Sequence, residues 1–394
     1  MREAKPEAAL PMVLLYGPPF GRRIARGYGG GAGGYTRNMQ VYLSSLDLGG
    51  TRLAPLCHTV RGERSRILET FPARMVTDCW RIAKAVLGER PDLLHVLASY
   101  RKALPREIFL AALCRLWCVK FVYDVKAGEF ARAYERGGWA YRAAIRYILG
   151  SANAVLVEGR ADQVFLADRC GIQSVYFPNF VPMIEVPVEV PQRLAGRTLK
   201  LLYVGYCYEG KGVRTLLEGC ALAARSGLRI EASLIGEEEA AFKVFADRFE
   251  PPPSMSLKRL GRRPHDDVLA AMAQNDIYCY PSAHPGEGHN NSINEAMMYG
   301  MVIITTRQGF LGDVLSEDAA YFLDRVTAGE LAKTLIAIAG DGDRARKKAS
   351  RARSWLKAEF TSTQASERLR TAYARALAEL PRPKSARDIR SVPR

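Results

Sequence analysis

The sequence lacks the pairings that build disulfide or zinc frameworks. Its eight cysteines (57, 79, 114, 118, 170, 207, 220, 279) form no C-x-x-C pair, so they read as reduced thiols packed in a core. Cys114 and Cys118 lie one helical turn apart in an apolar segment, which again suits packing. His284 and His289 find no third ligand at a useful spacing, and no D-x-D acidic pair is placed for a divalent cation. No metal or cofactor is therefore expected. No apolar run approaches the length of a membrane span. The first ten residues are polar, and the apolar run Met12–Tyr16 is too short for a signal-peptide core. A cytoplasmic location is expected. No zinc finger or RNA-binding aromatic motif is present, so no nucleic-acid partner is expected.

Charge is what the chain has in excess, and it is uneven. Residues 1–200 carry 29 Lys/Arg and 17 Asp/Glu, residues 201–350 carry 17 and 20, and residues 351–394 carry 11 and 4. The net of +16 thus resides in the first half and the tail. A basic half suits an anionic partner such as a membrane surface or a lipid phosphate. A plain solvated basic surface is the alternative. Arg132, Arg136, Arg142 and Arg146 alternate with aromatic residues over 131–149, which fits either a helix against a membrane or core packing with a basic outer face.

Apolar runs and helical periods alternate along the chain. Strands are expected at 12–16, 91–99, 120–123, 154–157 and 174–177, with helices at about 35–48, 73–87, 105–117, 131–149 and 159–170. The Pro-rich stretch 181–197 has no periodicity and reads as a linker. A second run follows, with strands at 199–206, 229–236, 255–260, 277–280, 301–305 and near 320–323. This is an α/β chain of two Rossmann-like, doubly wound domains. The expected division is 1–185, 186–360, a helix 361–380 crossing back to the first domain, and a basic disordered tail 381–394. Ligands bind such sheets beyond the carboxyl ends of the strands, so two facing sheets share one cleft. The loop 17–34 contains Gly29-x-Gly31-x-x-Gly34, too far past its strand to read as a dinucleotide fingerprint. Its last glycines, Gly33 and Gly34, would let a ligand approach the backbone.

The densest stretch is Pro281–Thr306, PSAHPGEGHNNSINEAMMYGMVIITT. A loop carrying Glu287 leads into a short helix carrying Glu295, eight residues later. Free backbone N–H groups at residues 290–293 would form an anion site at the helix start, suited to a diphosphate. Carboxylates on either side would accept hydrogen bonds from sugar hydroxyls. The same residues admit a second reading: Ser292-x-x-Glu295 fits a capping box that merely closes the helix.

These residues resemble the retaining GT-B glycosyltransferases of the large group 1 family, over roughly residues 12–380. The E-x7-E pattern at Glu287 and Glu295 is the most specific element, joined by YVGYCYEGKGVRTLLEG (203–219), the run 260–282, ANAVLVEG (152–159) and FPNF (177–180). The resemblance implies that Glu295 binds the donor ribose and Glu287 lies at the transferred sugar. It implies that His289, Asn290, Asn291 and Ser292 hold sugar and diphosphate, and that Gly205, Tyr206 and Lys211 form the phosphate loop. Gly33 and Gly34 would border the donor phosphates, while His95 and the 124–126 segment would face the acceptor. One position departs from the family: Tyr206 stands where an arginine usually follows the glycine. Arg262, Arg263, Arg307 or a basic residue of the 22–37 loop would have to supply the missing charge. The expected function is metal-independent transfer, with retention, of a sugar from a UDP- or GDP-sugar to a polysaccharide or lipid-linked saccharide, peripherally at the inner face of a membrane. The alternatives are a non-catalytic nucleotide-sugar-binding subunit and a related GT-B epimerase or phosphorylase.

Overall fold

The computed structural model describes residues 11–17, 43–58, 70–98, 101, 103–126, 128–194 and 198–378. Gly33, Gly34, the 22–37 loop and the tail 381–394 lie outside these residues. The first sheet comprises β1 (Met12–Gly17), β2 (Arg52–Cys57), β3 (Leu93–Ala98), β4 (Lys120–Val125), β5 (Ala154–Val157) and β6 (Val175–Tyr176), in the order β2-β1-β3-β4-β5-β6. The second comprises β7 (Thr198–Val204), β8 (Arg229–Ile235), β9 (Met255–Arg259), β10 (Ile277–Tyr280), β11 (Val302–Thr305) and β12 (Tyr321–Phe322), in the order β12-β11-β10-β7-β8-β9. Every pairing is parallel. Parallel sheets need cover on both faces, and the central strands are accordingly near-continuous apolar runs, buried throughout in β3, β5, β10 and β11.

Helices Phe71–Glu89, Leu104–Leu116, Trp139–Ser151 and Arg160–Cys170 cover one face of the first sheet. The last helix, Ser362–Ala378, covers the other. Its Ala365, Leu369, Ala372 and Ala376 recur at helical spacing and pack on Val13, Leu15, Leu93, Val122 and Leu156. The chain therefore leaves the first domain near residue 181 and returns near 361. The two crossings lie side by side: the Val181 amide donates to Phe360 O at 2.9 Å, and the Ser362 amide donates to Val181 O at 2.8 Å.

Two points of the sequence reading need correction, and a third is largely untested. β2 was hidden because RLAPLC contains Pro55 and lies at a sheet edge, where half-buried residues give no alternating signal. The helix expected over 131–149 is two helices, Phe130–Arg136 and Trp139–Ser151, separated at Gly137-Gly138. The helix expected over 35–48 lies largely outside the described residues, and its described end is a single 3-10 turn, Leu43–Ser45. The linker is also more fixed than its composition suggests. Arg193 is buried within it and donates to the carbonyls of Ala273 (3.0 Å), Asn275 (2.6 Å) and Tyr299 (2.5 Å). These are carbonyls at or just beyond helix C-terminal ends, where a cation is favoured.

Candidate functional site

In the second sheet the strand order reverses between β7 and β10. A crevice opens there at the carboxyl ends, the usual ligand position in a doubly wound sheet. Residues 205–212 follow β7 and residues 281–290 follow β10, so the phosphate-loop and Glu287 segments meet at this point. Their approach depends on backbone contacts that exclude a side chain. Gly212 sits at φ 67°, and a Cβ there would strike the Pro281 carbonyl. Gly309, at φ 55°, lies against the Glu287 carbonyl, and the Phe310 amide donates to that carbonyl at 2.9 Å.

Glu287 is buried and fully engaged. Its carboxylate pairs with the Lys211 ammonium and accepts from the Ser282 hydroxyl. The Tyr280 hydroxyl lies at 3.3 and 3.4 Å from its two oxygens. Burial first, and then the Glu287 charge, hold the Tyr280 phenol well above its ordinary pKa, so it remains a neutral donor. The Lys211 ammonium also stands 5.4 Å over the Tyr280 ring. One cation, one carboxylate and two hydroxyls thus converge at the end of β10.

The capping-box reading of Glu295 does not hold. The helix is Asn291–Met298 with Asn290 as N-cap, and the Asn290 side chain accepts from the Ser292 amide at 2.8 Å. Ser292 is therefore inside the helix, and Glu295 lies beyond the third position that a box requires. The Glu295 carboxylate instead meets His265 Nε2 at 2.9 Å. His265 is only partly exposed. The expected row of free amides at 290–293 is also reduced. The Ser292 amide is capped, and the Ile293 amide donates to Asn290 O at 3.2 Å. The Ser292 hydroxyl is held by Tyr278 (2.5 Å) and by the Asn290 side chain (2.6 Å).

His289 serves the frame around the crevice. It is buried, its Nε2 bonds Asn294 Oδ1 at 2.8 Å, and its ring packs edge-on to Phe360 at 4.8 Å. Burial lowers its pKa to about 3, so the ring is neutral. Its carbonyl accepts from Asn179 Nδ2 at 2.6 Å, and Asn294 Nδ2 donates to Asn179 O at 3.0 Å. Asn291 is buried at the first turn of the same helix. Tyr206 is half-buried, its ring 5.6 Å from Tyr208 and its carbonyl accepting from Tyr203. Arg307 does not replace the missing charge here, since it pairs with Glu317 and Asp324 and stands over Phe322. Arg262 and Arg263 are exposed.

His95 does not face the cleft. It is fully buried in the middle of β3, where Nδ1 lies 2.8 Å from the Tyr373 hydroxyl of the returning helix and Nε2 lies 3.4 Å from Asp124. It lies short of the strand end, and its side chain points to the face that helix 362–378 covers. Asp124 and Lys126 are buried in the same cluster, with Lys126 donating to Phe177 O.

The carboxyl edges of the two domains touch. Gly128 packs on the Glu287 backbone, Gly286 on Glu129, and Gly159 on Phe310. The amides of Arg160 and Ala161 donate to Asp313. Glu158 is buried at the end of β5, beside Gly288, and accepts a hydrogen bond from the His289 backbone. Burial raises its pKa to about 7. Sequence reasoning gave Glu158, Asn179, Ser282, Tyr280 and His265 no role. The signal available was position, since Glu158 directly follows a strand and Ser282 directly follows Pro281. Among the described residues no three His, Cys, Asp or Glu side chains are placed to hold a metal ion, and no helix is long and apolar enough to cross a membrane.

Residues 198–341 match the family model described as Glycosyl transferases group 1. The fold is shared with solved GT-B structures of low identity. HepE of Anabaena, solved with UDP and glucose, superposes with a TM-score of 0.64 at 13% identity, covering 93% of this chain and 99% of that one. Sucrose-phosphate synthase of Thermosynechococcus elongatus gives 0.68 at 15%, covering 93% and 99%. A glycosyltransferase from Rickettsia africae gives 0.64 at 13%, covering 94% and 100%. No curated protein matches the sequence.

Proposed function

We propose that this protein transfers a sugar from a nucleoside-diphosphate sugar to a saccharide acceptor, with retention and without a metal, since residues 198–341 match the group 1 glycosyltransferase model and the fold is shared with solved GT-B structures. The observation that carries this reading is the meeting of Lys211 and Glu287 at the switch point of the second sheet, with Glu295 buried on the adjoining helix. HepE was solved with UDP and with UDP-glucose, so a UDP-sugar is the first donor to try and a GDP-sugar the second. In this reading Lys211 meets the diphosphate and Glu295 the ribose. Glu287 faces the sugar, where a carboxylate steadies the positive charge that develops at the anomeric carbon. The bond from that carbon to the diphosphate breaks, and the electron pair leaves with the nucleotide. The acceptor oxygen bonds to the carbon and loses its proton. The acceptor is a polysaccharide or a lipid-linked saccharide.

The test is nucleotide release and product formation with a panel of UDP- and GDP-sugars. A donor that raises the melting temperature and is turned over supports the reading. Donor binding with no release under any acceptor supports a second reading, a non-catalytic donor-binding subunit. Tyr206 and the occupied Arg307 favour that second reading, because a departing diphosphate needs neutralising charge.

A further inference from the structure

Large exposed apolar side chains concentrate on the outer surface of the first domain. Three of the four tryptophans are there: Trp139 is 85% exposed, Trp80 63% and Trp117 50%. Leu116 and Val76 join them, on helices that share one core and pack side by side. The stripe is set by the helix period. In Phe71–Glu89, Asp78, Ile82 and Val86 face inward, which turns Val76, Trp80 and Leu87 out. Cations adjoin these rings: Lys84 lies 5.5 Å over Trp80, and Arg115 lies 5.9 Å over Tyr147. The helices Phe71–Glu89, Leu104–Leu116, Phe130–Arg136 and Trp139–Ser151 carry eight Lys/Arg besides the buried Arg106. Their surface carboxylates are only Glu89 and Glu135, since Asp78 and Glu107 are buried.

We propose that this face docks on an anionic lipid bilayer. Tryptophan is the side chain that belongs at a lipid–water boundary, with an apolar body and one polar N–H. Cations around it complement a negative leaflet. The opposite domain has the opposite balance, 17 Lys/Arg against 20 Asp/Glu over 201–350, so the field also orients the molecule. Single-stranded nucleic acid would answer the cations too, but it is held in a basic groove, and these rings stand on outward helix stripes. Phe71 and Trp139 begin their helices, at the edge where the strands end and the cleft lies. A bilayer on this face would therefore adjoin the cleft, and a lipid-linked saccharide could reach it from the surface. That last step rests on the glycosyl-transfer reading, whereas the docking does not.

The test is cosedimentation of the full chain with vesicles, in the absence of donor and acceptor. Phosphatidylcholine vesicles containing phosphatidylglycerol should bind the protein at low salt, with a blue shift of tryptophan emission, and should lose it as salt rises. Trp80→Ala with Trp139→Ala should weaken partitioning roughly tenfold, and Lys84→Glu with Arg115→Glu by roughly thirtyfold or more. All four sites are on the surface, so unchanged melting temperatures are expected. Val244→Ser, on an exposed site of the second domain, should leave binding as it was. No binding to the anionic vesicles at low salt would overturn the proposal. So would equal binding by the double tryptophan variant, or release from vesicles by an oligonucleotide that binds the same face more tightly.

Discussion

The Lys211 ammonium and the Glu287 carboxylate satisfy one another at the mouth of the second sheet, with side chains 18% and 6% exposed. A diphosphate that recruits Lys211 must take it from Glu287. In the glycosyl-transfer reading the carboxylate would then keep Ser282 and Tyr280 as partners and turn its charge toward the sugar. This exchange fixes the sign of a pair of mutations. Glu287→Ala removes the competitor for Lys211, so UDP affinity should hold or rise while turnover falls roughly 10²- to 10³-fold. Lys211→Ala should weaken UDP binding roughly tenfold or more. Calorimetric titration and nucleotide-release rates decide both. Loss of UDP affinity in the Glu287 variant would contradict the exchange.

Tyr206 marks the charge deficit. Its ring is half-buried beside Tyr208, and the bond from Tyr203 goes to its backbone carbonyl, which any residue retains. Tyr206→Arg should therefore fold, and the added guanidinium should tighten UDP binding by roughly tenfold. If turnover rises with affinity, leaving-group charge limits the wild-type rate. Unchanged affinity would place the neutralising charge elsewhere on the chain.

The His95 to Tyr373 bond ties the middle of β3 to the helix that returns from the second domain. Tyr373→Phe leaves a buried ring nitrogen without its partner, at a cost of about 1–3 kcal/mol. Denaturant unfolding should report that loss, with the donor KM unchanged because the site is below the sheet. A raised KM with unaltered stability would restore His95 to the cleft.

Much of this architecture could be read from the sequence, because buried parallel strands are short apolar runs between periodic helices. LLHVLA, AVLV, IYCY and VIIT are such runs, and the carboxyl ends of IYCY and of β7 located the Glu287 and Lys211 segments. What could not be read was direction. The end of β5 says that Glu158 is near the cleft, but only packing shows it against the His289 backbone, and only packing shows His95, in the middle of β3, under the returning helix. A two-residue offset decided Glu295 as well: the cap fell on Asn290 in place of Ser292, and no pattern of S-x-x-E reveals that. β2 gave no signal because an edge strand with a proline needs neither alternation nor a full ladder.

Glu158, buried where the domains touch, should make stability dependent on pH. Its pKa is raised by burial to about 7 from an ordinary 4.5. Between those values the folded state binds more protons than the unfolded chain, so stability falls as pH rises through this window. The full difference is worth up to about 3 kcal/mol. Asp162, also raised to about 7 by burial, acts in the same sense. His289 and His58 act in the opposite sense. Both are lowered by burial to about 3, so stability is lost as pH falls below the unfolded histidine value. The wild-type curve therefore mixes both signs, and the informative quantity is a difference. Glu158→Gln keeps the shape and the hydrogen bond from the His289 backbone but cannot ionise. Relative to wild type it should gain stability on going from pH 5 to pH 8, by at most about 3 kcal/mol, as measured by denaturant unfolding at the two pH values. An equal difference at both would mean that Glu158 is charged throughout, and that the contact between β5 and the Glu287 loop is not gated by protons.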